Sequence, residues 1–413
     1  MTEHIETVIV GGGQAGLAMS YCLRQLGREH VVLERGRLAE RWRSERWDSL
    51  TLLTPNWMTQ LPGYGYRGDD PHGFVSRDAV IHYLESYAAF FRPPLRCGVR
   101  VESVRQKPGE SRYVVRTDAG TIEALNVVVA TGPFQRPRIP PQSALLPGAV
   151  LQLHSRDYRN PTQLPSGAVL VVGSGASGLQ ICEDLHRSGR TVYLAVGRCN
   201  RWPRRYREAD IFVWLQGLGL MDTVGLQSFI GPEYGCTGVL TGVGGGHDLD
   251  YGRLAAAGVT LLGHLRGAAD GRLVFAGDLH ESLALWDESW DILRDMIEAH
   301  IQKTGLDLPP EATPSRAASR AWRDQTPVLE VDLAASSISA VIWATGFIHD
   351  YGWLEVPVLD GGGGPIQQRG VTGSAGLYFL GLRRMHTPKS GFLFGVGEDA
   401  VYLADQIATR ARR

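Results

Sequence analysis

The chain has only five cysteines, Cys22, Cys97, Cys182, Cys199 and Cys236, and none lies in a C-x-x-C or C-x-x-x-x-C pair. That scatter argues against a flavin disulfide reductase, which needs a closely spaced redox pair. Odd in number and mostly on apolar stretches, they read as reduced core cysteines of a cytoplasmic protein. An excess of one charge is missing too: 42 Lys+Arg face 43 Asp+Glu, for a net charge of −1. There is therefore no electrostatic case for nucleic acid or an anionic membrane surface. No run approaches the ~18 apolar residues of a membrane span. The first apolar run begins within ten residues of Met1, which leaves no room for a signal peptide. No metal site is expected.

Glycine, by contrast, is plentiful, at 51 of 413 residues, roughly 12% against a usual ~7%. This length allows two or three domains. The glycines gather at tight turns rather than in low-complexity runs. The most informative turn follows the apolar run Val8 to Val10 and reads Gly11-Gly12-Gly13-Gln14-Ala15-Gly16. A helical pattern comes next, with Leu17, Ala18, Tyr21, Cys22 and Leu26 on one face, and Gly27 stops it. A second apolar run, Val31-Val32-Leu33, ends in Glu34. Gly11, Gly13 and Gly16 thus supply G-x-G-x-x-G between strand and helix. The first glycine permits the tight turn, the second the approach of a pyrophosphate, and the third close helix–strand packing. The helix N-terminus offers N–H groups to the phosphates, and Glu34 can accept from ribose hydroxyls. The alternative is a glycine-rich turn in an ordinary βαβ unit, but every context element of the fingerprint is present.

The unit occurs twice. Ala168 to Val172 is a second strand, Gly173-Ser174-Gly175-Ala176-Ser177-Gly178 a second turn, Leu179 to Arg187 a helix, and Thr191 to Val196 a further strand. Two such units imply two nucleotides, and two nucleotides suggest electron transfer between them. The second copy ends not in an acid but in Val196-Gly197-Arg198, with Arg201, Arg204 and Arg205 close behind. An arginine there can bind a 2′-phosphate bidentately, whereas a carboxylate would repel it. Site one therefore reads as an adenine nucleotide with free ribose, and site two as NADP(H). A solvated basic loop is the alternative for these arginines.

Between the units, Arg41-Trp42-Arg43 and Trp47 to Trp57 are rich in Trp and Thr and could line a planar ring or form a Trp-anchored loop. Ser76 looks like the N-cap of a helix from Arg77 to Phe91. Three short strands are expected near Val99–Val104, Tyr113–Thr117 and Thr121–Glu123, followed by a buried parallel strand, Asn126 to Ala130, that ends in Thr131-Gly132. Ser339 to Trp343 repeats that ending as Ala344-Thr345-Gly346-Phe347. A long amphipathic helix runs from Ser282 to Thr304; its Trp286 and Trp290 read as core more readily than as a substrate wall. Pro309 to Arg323 reads as a connector, and Glu398 to Arg413 as a final helix. The fold class is α/β, with two Rossmann-like dinucleotide-binding domains in three layers. The second is inserted into the first: 1–160 first domain, 161–335 second domain with a substrate-shaping insertion, 336–413 return to the first.

The two Gly-rich turns, the two A-T-G strand ends and His154-Ser155-Arg156-Asp157-Tyr158-Arg159-Asn160-Pro161 together resemble the class B flavoprotein monooxygenases. Flavin-containing and indole-pyruvate monooxygenases are the nearest in pattern. The resemblance covers nearly the whole chain. It implies FAD on Gly11, Gly13, Gly16 and Glu34, and NADPH on Gly173, Gly175, Gly178 and Arg198. Gln14, Ala15, Arg35, Arg41, Trp42, Thr131, Gly132, His154, Tyr158, Ser174, Ser177 and Arg204 are further cofactor-binding candidates. Ala344, Thr345, Gly346 and Phe347 join the cofactor-binding set, and His154 to Tyr158 would be a hinge near the nicotinamide. The upstream half of the family's F-x-G-x-x-x-H-x-x-x-Y/W pattern is degenerate, since Val150 stands four before His154 and the nearest glycine is Gly148.

The implied reaction uses NADPH, O2 and a small organic substrate and inserts one oxygen atom through a C4a-(hydro)peroxyflavin, at nitrogen, sulfur or a carbonyl. Asn56, Thr54 and His386 are the catalytic candidates, with Thr387 and Ser390 near the last. Family members carry an Asn after an S-L-T segment; here that position is Leu53, with Asn56 three further on. This motivates one alternative, an NADPH oxidase or flavin reductase that releases H2O2. A non-catalytic nucleotide-binding redox sensor is the other. A homodimer is allowed.

Overall fold

The computed structural model describes residues 2–234, 236–311, 322 and 326–410. Most of the expected 309–323 connector and the last three residues of the expected C-terminal helix lie outside the described residues.

The first sheet grows around Thr2–Val10. This strand runs parallel to His30–Glu34 on one side and to Gly120–Val129 on the other. Leu95–Cys97 extends it beyond His30–Glu34, and Leu377–Phe379 lies beside the end of Gly120–Val129. The order of the parallel part is 95–97, 30–34, 2–10, 120–129, 377–379. The second sheet is wholly parallel, in the order 260–262, 192–195, 168–172, 338–343, 151–154. The central strands are apolar without alternation because both faces are covered: Val8 and Ile9, like Val169 to Val171, are fully buried.

Two expectations change. The strands near 121–123 and 126–130 are one ten-residue strand, Gly120–Val129. Its first half pairs antiparallel with Tyr113–Thr117 and its second half parallel with Leu377–Phe379. Burial alternates in the first half and is continuous in the second, so one strand carries two sequence patterns. The other change concerns Ile338–Trp343, expected in the returning part of the first domain. It pairs between Ala168–Val172 and Leu151–His154, inside the second sheet. The expected limits at 160 and 336 therefore cut through that sheet, whose strands begin at Leu151 and end at Trp343. The physical reason lies in the first glycines of the two turns, described below.

The helices fall close to their sequence signals. Ser76 caps Arg77–Phe91 by accepting from Ala79 N at 3.3 Å. The long helix begins three residues earlier than its apolar pattern, as Leu279–Thr304. Trp286 and Trp290 are both buried, Trp286 against Tyr251 and Trp290 against Tyr206, so they are core. The final helix, Val396–Arg410, packs on Gln14–Gln25 and closes the first unit.

Candidate functional site

The two turns share one geometry. Gly11 has φ +112°, and a Cβ there would lie 2.6 Å from the carbonyl oxygen of Ala130. Gly173 has φ +100°, and its Cβ would lie 2.6 Å from the carbonyl oxygen of Ala344. Each A-T-G strand end thus seats on the first glycine of its own turn, which explains why the motif occurs twice and why Ile338–Trp343 joins the second sheet. The third glycines are equally constrained: a Cβ on Gly16 would fall 1.9 Å from Gly11 O, and one on Gly178 1.8 Å from Gly173 O.

Gly13 differs. Among the described residues, nothing beyond its immediate neighbours in the chain and its own helix lies within 4 Å of where its Cβ would be. It caps Gln14–Gln25 without a side-chain hydrogen bond. Gly132 and Gly346, at the two A-T-G ends, have positive φ and equally open Cβ positions. The protein itself does not need a glycine at Gly13. An open backbone at a helix N-terminus suits a diphosphate. Beside it, Glu34 accepts from Gly12 N at 2.8 Å and Gly36 N at 2.9 Å, which fixes its carboxylate at the turn. Gln14 donates to Gly391 O at 2.9 Å, and a Cβ on Gly381 would lie 2.5 Å from Ala15 Cβ. Gln14 and Ala15 thus bind the C-terminal segment to the turn. In the second turn Ser174 is buried and its hydroxyl accepts from Gly197 N at 2.9 Å, so it locks the turn to the end of the neighbouring strand. Helix Ala176–Arg187 starts at Gly175, again without a side-chain cap, with Ser177 half-buried in its first turn.

The H-x-x-x-Y segment fastens the second unit. Arg156 N donates to His154 Nδ1 at 3.1 Å, so Nε2 carries the proton and donates to Gly346 O at 2.9 Å. The ring sits edge-on to Phe347 at 4.8 Å. Burial pushes the His154 pKa down, in keeping with a neutral ring. Tyr158 is fully buried and donates to Asp184 Oδ2 at 2.6 Å, while Ser49 donates to Asp184 Oδ1 at 2.6 Å. Asp184, missed in the sequence, therefore ties together the segment, the second helix and the Trp/Thr-rich loop. Thr131 accepts from Gln135 at 2.9 Å, and Thr345 donates to Arg138 O.

Next to Glu34 lies an arginine cluster. Arg35, Arg41 and Arg156 surround the buried Glu45 carboxylate at 3.8, 3.9 and 3.2 Å. Arg41 Nη1 and Glu45 Oε2 are buried without hydrogen-bond partners. Arg46 stands over Trp42 at 5.6 Å and Phe134 at 5.2 Å, and burial pushes its pKa down to about 10. Cations outnumber the one carboxylate, so this donor set, with its orphaned guanidinium nitrogen, fits an anionic dinucleotide. Arg46 and Phe134 carried no motif of their own, and Arg156 lay at an unassigned position of the His154–Pro161 segment.

The second-site arginines separate. Arg198 remains half-exposed beside the turn and pairs with Glu281 at 2.6 Å. Arg201 pairs with Asp250 at 3.0 Å and Asp287 at 2.8 Å. Arg204, expected on the dinucleotide, is buried instead. It bonds Asp210 at 2.6 Å, donates to Leu53 O at 2.7 Å, and lies over Phe74 at 4.7 Å. It docks the 53–74 segment onto the second unit, a role that charge alone in the sequence could not distinguish from phosphate binding.

Among the catalytic candidates, Asn56 is buried. Its amide nitrogen donates to Asp70 O at 2.8 Å and Tyr66 Oη at 3.3 Å, while its Oδ1 is buried without a partner. Thr54 is buried two residues before it. The His386 carbonyl accepts from Gly225 N at 2.9 Å, and its N–H donates to Ser390 Oγ at 3.2 Å. Ser390 and Thr387 form the capping box of that turn. Leu53, Trp57 and Phe392, from the segments holding Asn56 and following His386, meet in one apolar cluster with Trp202, Phe212 and Trp214. The structure thus brings both candidate segments to the wall formed by residues 202–230.

These features define a flavoenzyme-type frame, a pair of dinucleotide-binding folds nested in one chain. The model of the pyridine nucleotide-disulphide oxidoreductase family matches residues 8–217. An uncharacterized CzcO-like oxidoreductase of Geobacillus kaustophilus is 34% identical over 98% of this chain and 99% of its own length. The chain belongs to this family. Indole-3-pyruvate monooxygenase YUCCA1 of Oryza sativa is 36% identical over 46% of the chain and 47% of its own length. A flavin-containing monooxygenase from Stenotrophomonas maltophilia has the same fold, with a TM-score of 0.67 at 19% identity over 99% of this chain and 100% of that one. OTEMO, solved with FAD and NADP, has a TM-score of 0.57 at 15% identity over 100% of this chain and 86% of that one. The resemblance to class B flavoprotein monooxygenases is borne out by these matches.

Proposed function

We propose that the chain is an FAD-dependent, NADPH-consuming monooxygenase that transfers one oxygen atom from O2 to a small organic substrate. The observation that carries this is the duplicated cradle: two helix N-termini behind glycine turns, each completed by its own A-T-G strand end. The likeness to YUCCA1 and to the Stenotrophomonas maltophilia flavin-containing monooxygenase supports it, and so does the absence of a closely spaced cysteine pair in the sequence. FAD, when bound, supplies hydride acceptance and reaction with O2. The chain's own residues do the rest. Gly13 leaves room for the diphosphate, and Glu34 holds the ribose. Arg41 and Arg156 balance the phosphate charge, and Arg198 takes the 2′-phosphate of NADPH. Leu53, Trp57 and Phe392 keep water from the reacting face, and Asn56, on the same segment as Leu53 and Trp57, holds a buried Oδ1 without a hydrogen-bond partner. We further propose a cytoplasmic location, from the scattered cysteines; among the described residues no helix is long and apolar enough to cross a membrane.

The test is O2 uptake with NADPH in the presence of amines, sulfides and ketones. Uptake that rises with a substrate, without matching H2O2, supports oxygenation. Stoichiometric H2O2 with every substrate class would leave the oxidase or reductase reading. One observation favours that second reading: the Asn56 amide nitrogen is committed to Asp70 and Tyr66 rather than free for a ligand.

A further inference from the structure

The second strand of the second unit lacks a terminal acid in sequence, yet the folded chain supplies two from elsewhere. A cavity of about 360 Å³ is lined by Arg198, His264, Arg266, Asp278 and Glu281. Arg198 and His264 come three and two residues after the carboxyl ends of the neighbouring parallel strands Val192–Ala195 and Thr260–Leu262. That is where such folds receive the ribose of a dinucleotide. The two acids differ in their ties. Asp278 is held by His264, through its backbone N–H at 3.0 Å and its ring at 2.8 Å. Glu281, in the first turn of Leu279–Thr304, is 60% exposed and holds Arg198 Nη2 at 2.6 Å.

We propose that Glu281 is a selector of the dinucleotide: it keeps Arg198 when the 2′ position carries a hydroxyl and must release it when that position carries a phosphate. This rests on the reading of the second unit as the NADPH site. The cost to NADPH has two parts. The Arg198–Glu281 pair is broken, and a carboxylate is left beside a dianion. Exposed pairs are weak and screened, so the penalty is modest and the enzyme accepts both NADPH and NADH, with NADPH preferred. NADH leaves the pair intact and is indifferent to it.

The experiment titrates the FAD-loaded protein with NADP+ and with NAD+ at fixed ionic strength, for the natural chain, E281Q, R198A and the double variant. E281Q is expected to bind NADP+ about fivefold more tightly, with NAD+ unchanged within about twofold, and the gain should shrink in the R198A background, where only the carboxylate–phosphate repulsion is left to relieve. Equal tightening of both dinucleotides, or an unchanged NADP+ affinity, overturns the selector role. If E281Q is silent while R198A still weakens NADP+ selectively, only the selector falls. If R198A is itself silent, the assignment of this unit to NADPH falls with it. A lower salt dependence of NAD+ than of NADP+ binding is the accompanying signature of 2′-phosphate recognition.

Discussion

Replacing Gly13 with alanine should separate cofactor binding from folding. Its backbone is extended, with φ −82° and ψ −170°, which alanine adopts freely. Less unfolded-state freedom favours alanine by ~0.4–1 kcal/mol. Alanine is also a poorer N-cap by a comparable amount, so the flavin-free protein should change by less than ~1 kcal/mol. Gly16→Ala contrasts with it, since the new methyl would meet a backbone oxygen at 1.9 Å that cannot swing aside. Such overpacking costs ~1–3 kcal/mol or more. For the cofactor the order inverts. On the proposed reading, a methyl at Gly13 would stand where the diphosphate approaches and would displace it from the helix N–H groups. Charge-assisted hydrogen bonds are worth ~1.5–3 kcal/mol each, so losing one or two lowers FAD affinity by roughly tenfold to a thousandfold or more. The assay pairs thermal melts of flavin-stripped protein with the flavin-to-polypeptide absorbance ratio and a titration with FAD. Gly13→Ala that retains native FAD affinity, or whose flavin-free form melts as low as Gly16→Ala, would refute the reasoning.

Three other outcomes follow from the contacts. Arg204→Met leaves Asp210 as an uncompensated buried carboxylate and should cost ~3–5 kcal/mol in urea unfolding; a loss below ~1 kcal/mol would deny it a structural role. Tyr158→Phe removes one hydrogen bond to Asp184 but leaves Ser49 in place, so a cost of ~1–3 kcal/mol is expected. Burial lowers the pKa of both His154 and His30, so the unfolded chain takes up protons first. Their contribution is complete above the ordinary value near ~6.5 and is lost as pH falls through the folded values; His154→Gln should flatten that acid-side decline in melts between about pH 7 and pH 5.

Much of the fold was legible because its signals are local. Gly11 and Gly16, with their flanking apolar runs, name a strand–turn–helix without any tertiary information, and the close contacts around both show why no other residue serves. The same holds for the second turn, for the Ser76 cap and for the Leu279–Thr304 helix. The candidate site was legible where a residue's place is fixed by the fingerprint, as for the Glu34 carboxylate at the first turn. It was not legible where it depends on which distant segment arrives. Arginine looks alike in sequence whether it meets a phosphate or a buried carboxylate, and only packing sends Arg204 to Asp210 and Leu53 O while leaving Arg198 at the cavity.

By itself, then, the sequence determined that two dinucleotide folds exist and that the first has a terminal acid while the second has an arginine. These are properties of short windows, set by glycine conformation and by the polarity of a strand end. Only the tertiary structure decided which A-T-G strand belongs to which sheet, because a carbonyl seated on a glycine is a contact across more than a hundred residues. It also decided that Asp278 and Glu281 share the cavity of Arg198. Charge acts through space and is blind to chain order, so the electrostatic character of the second site was fixed only when the chain folded.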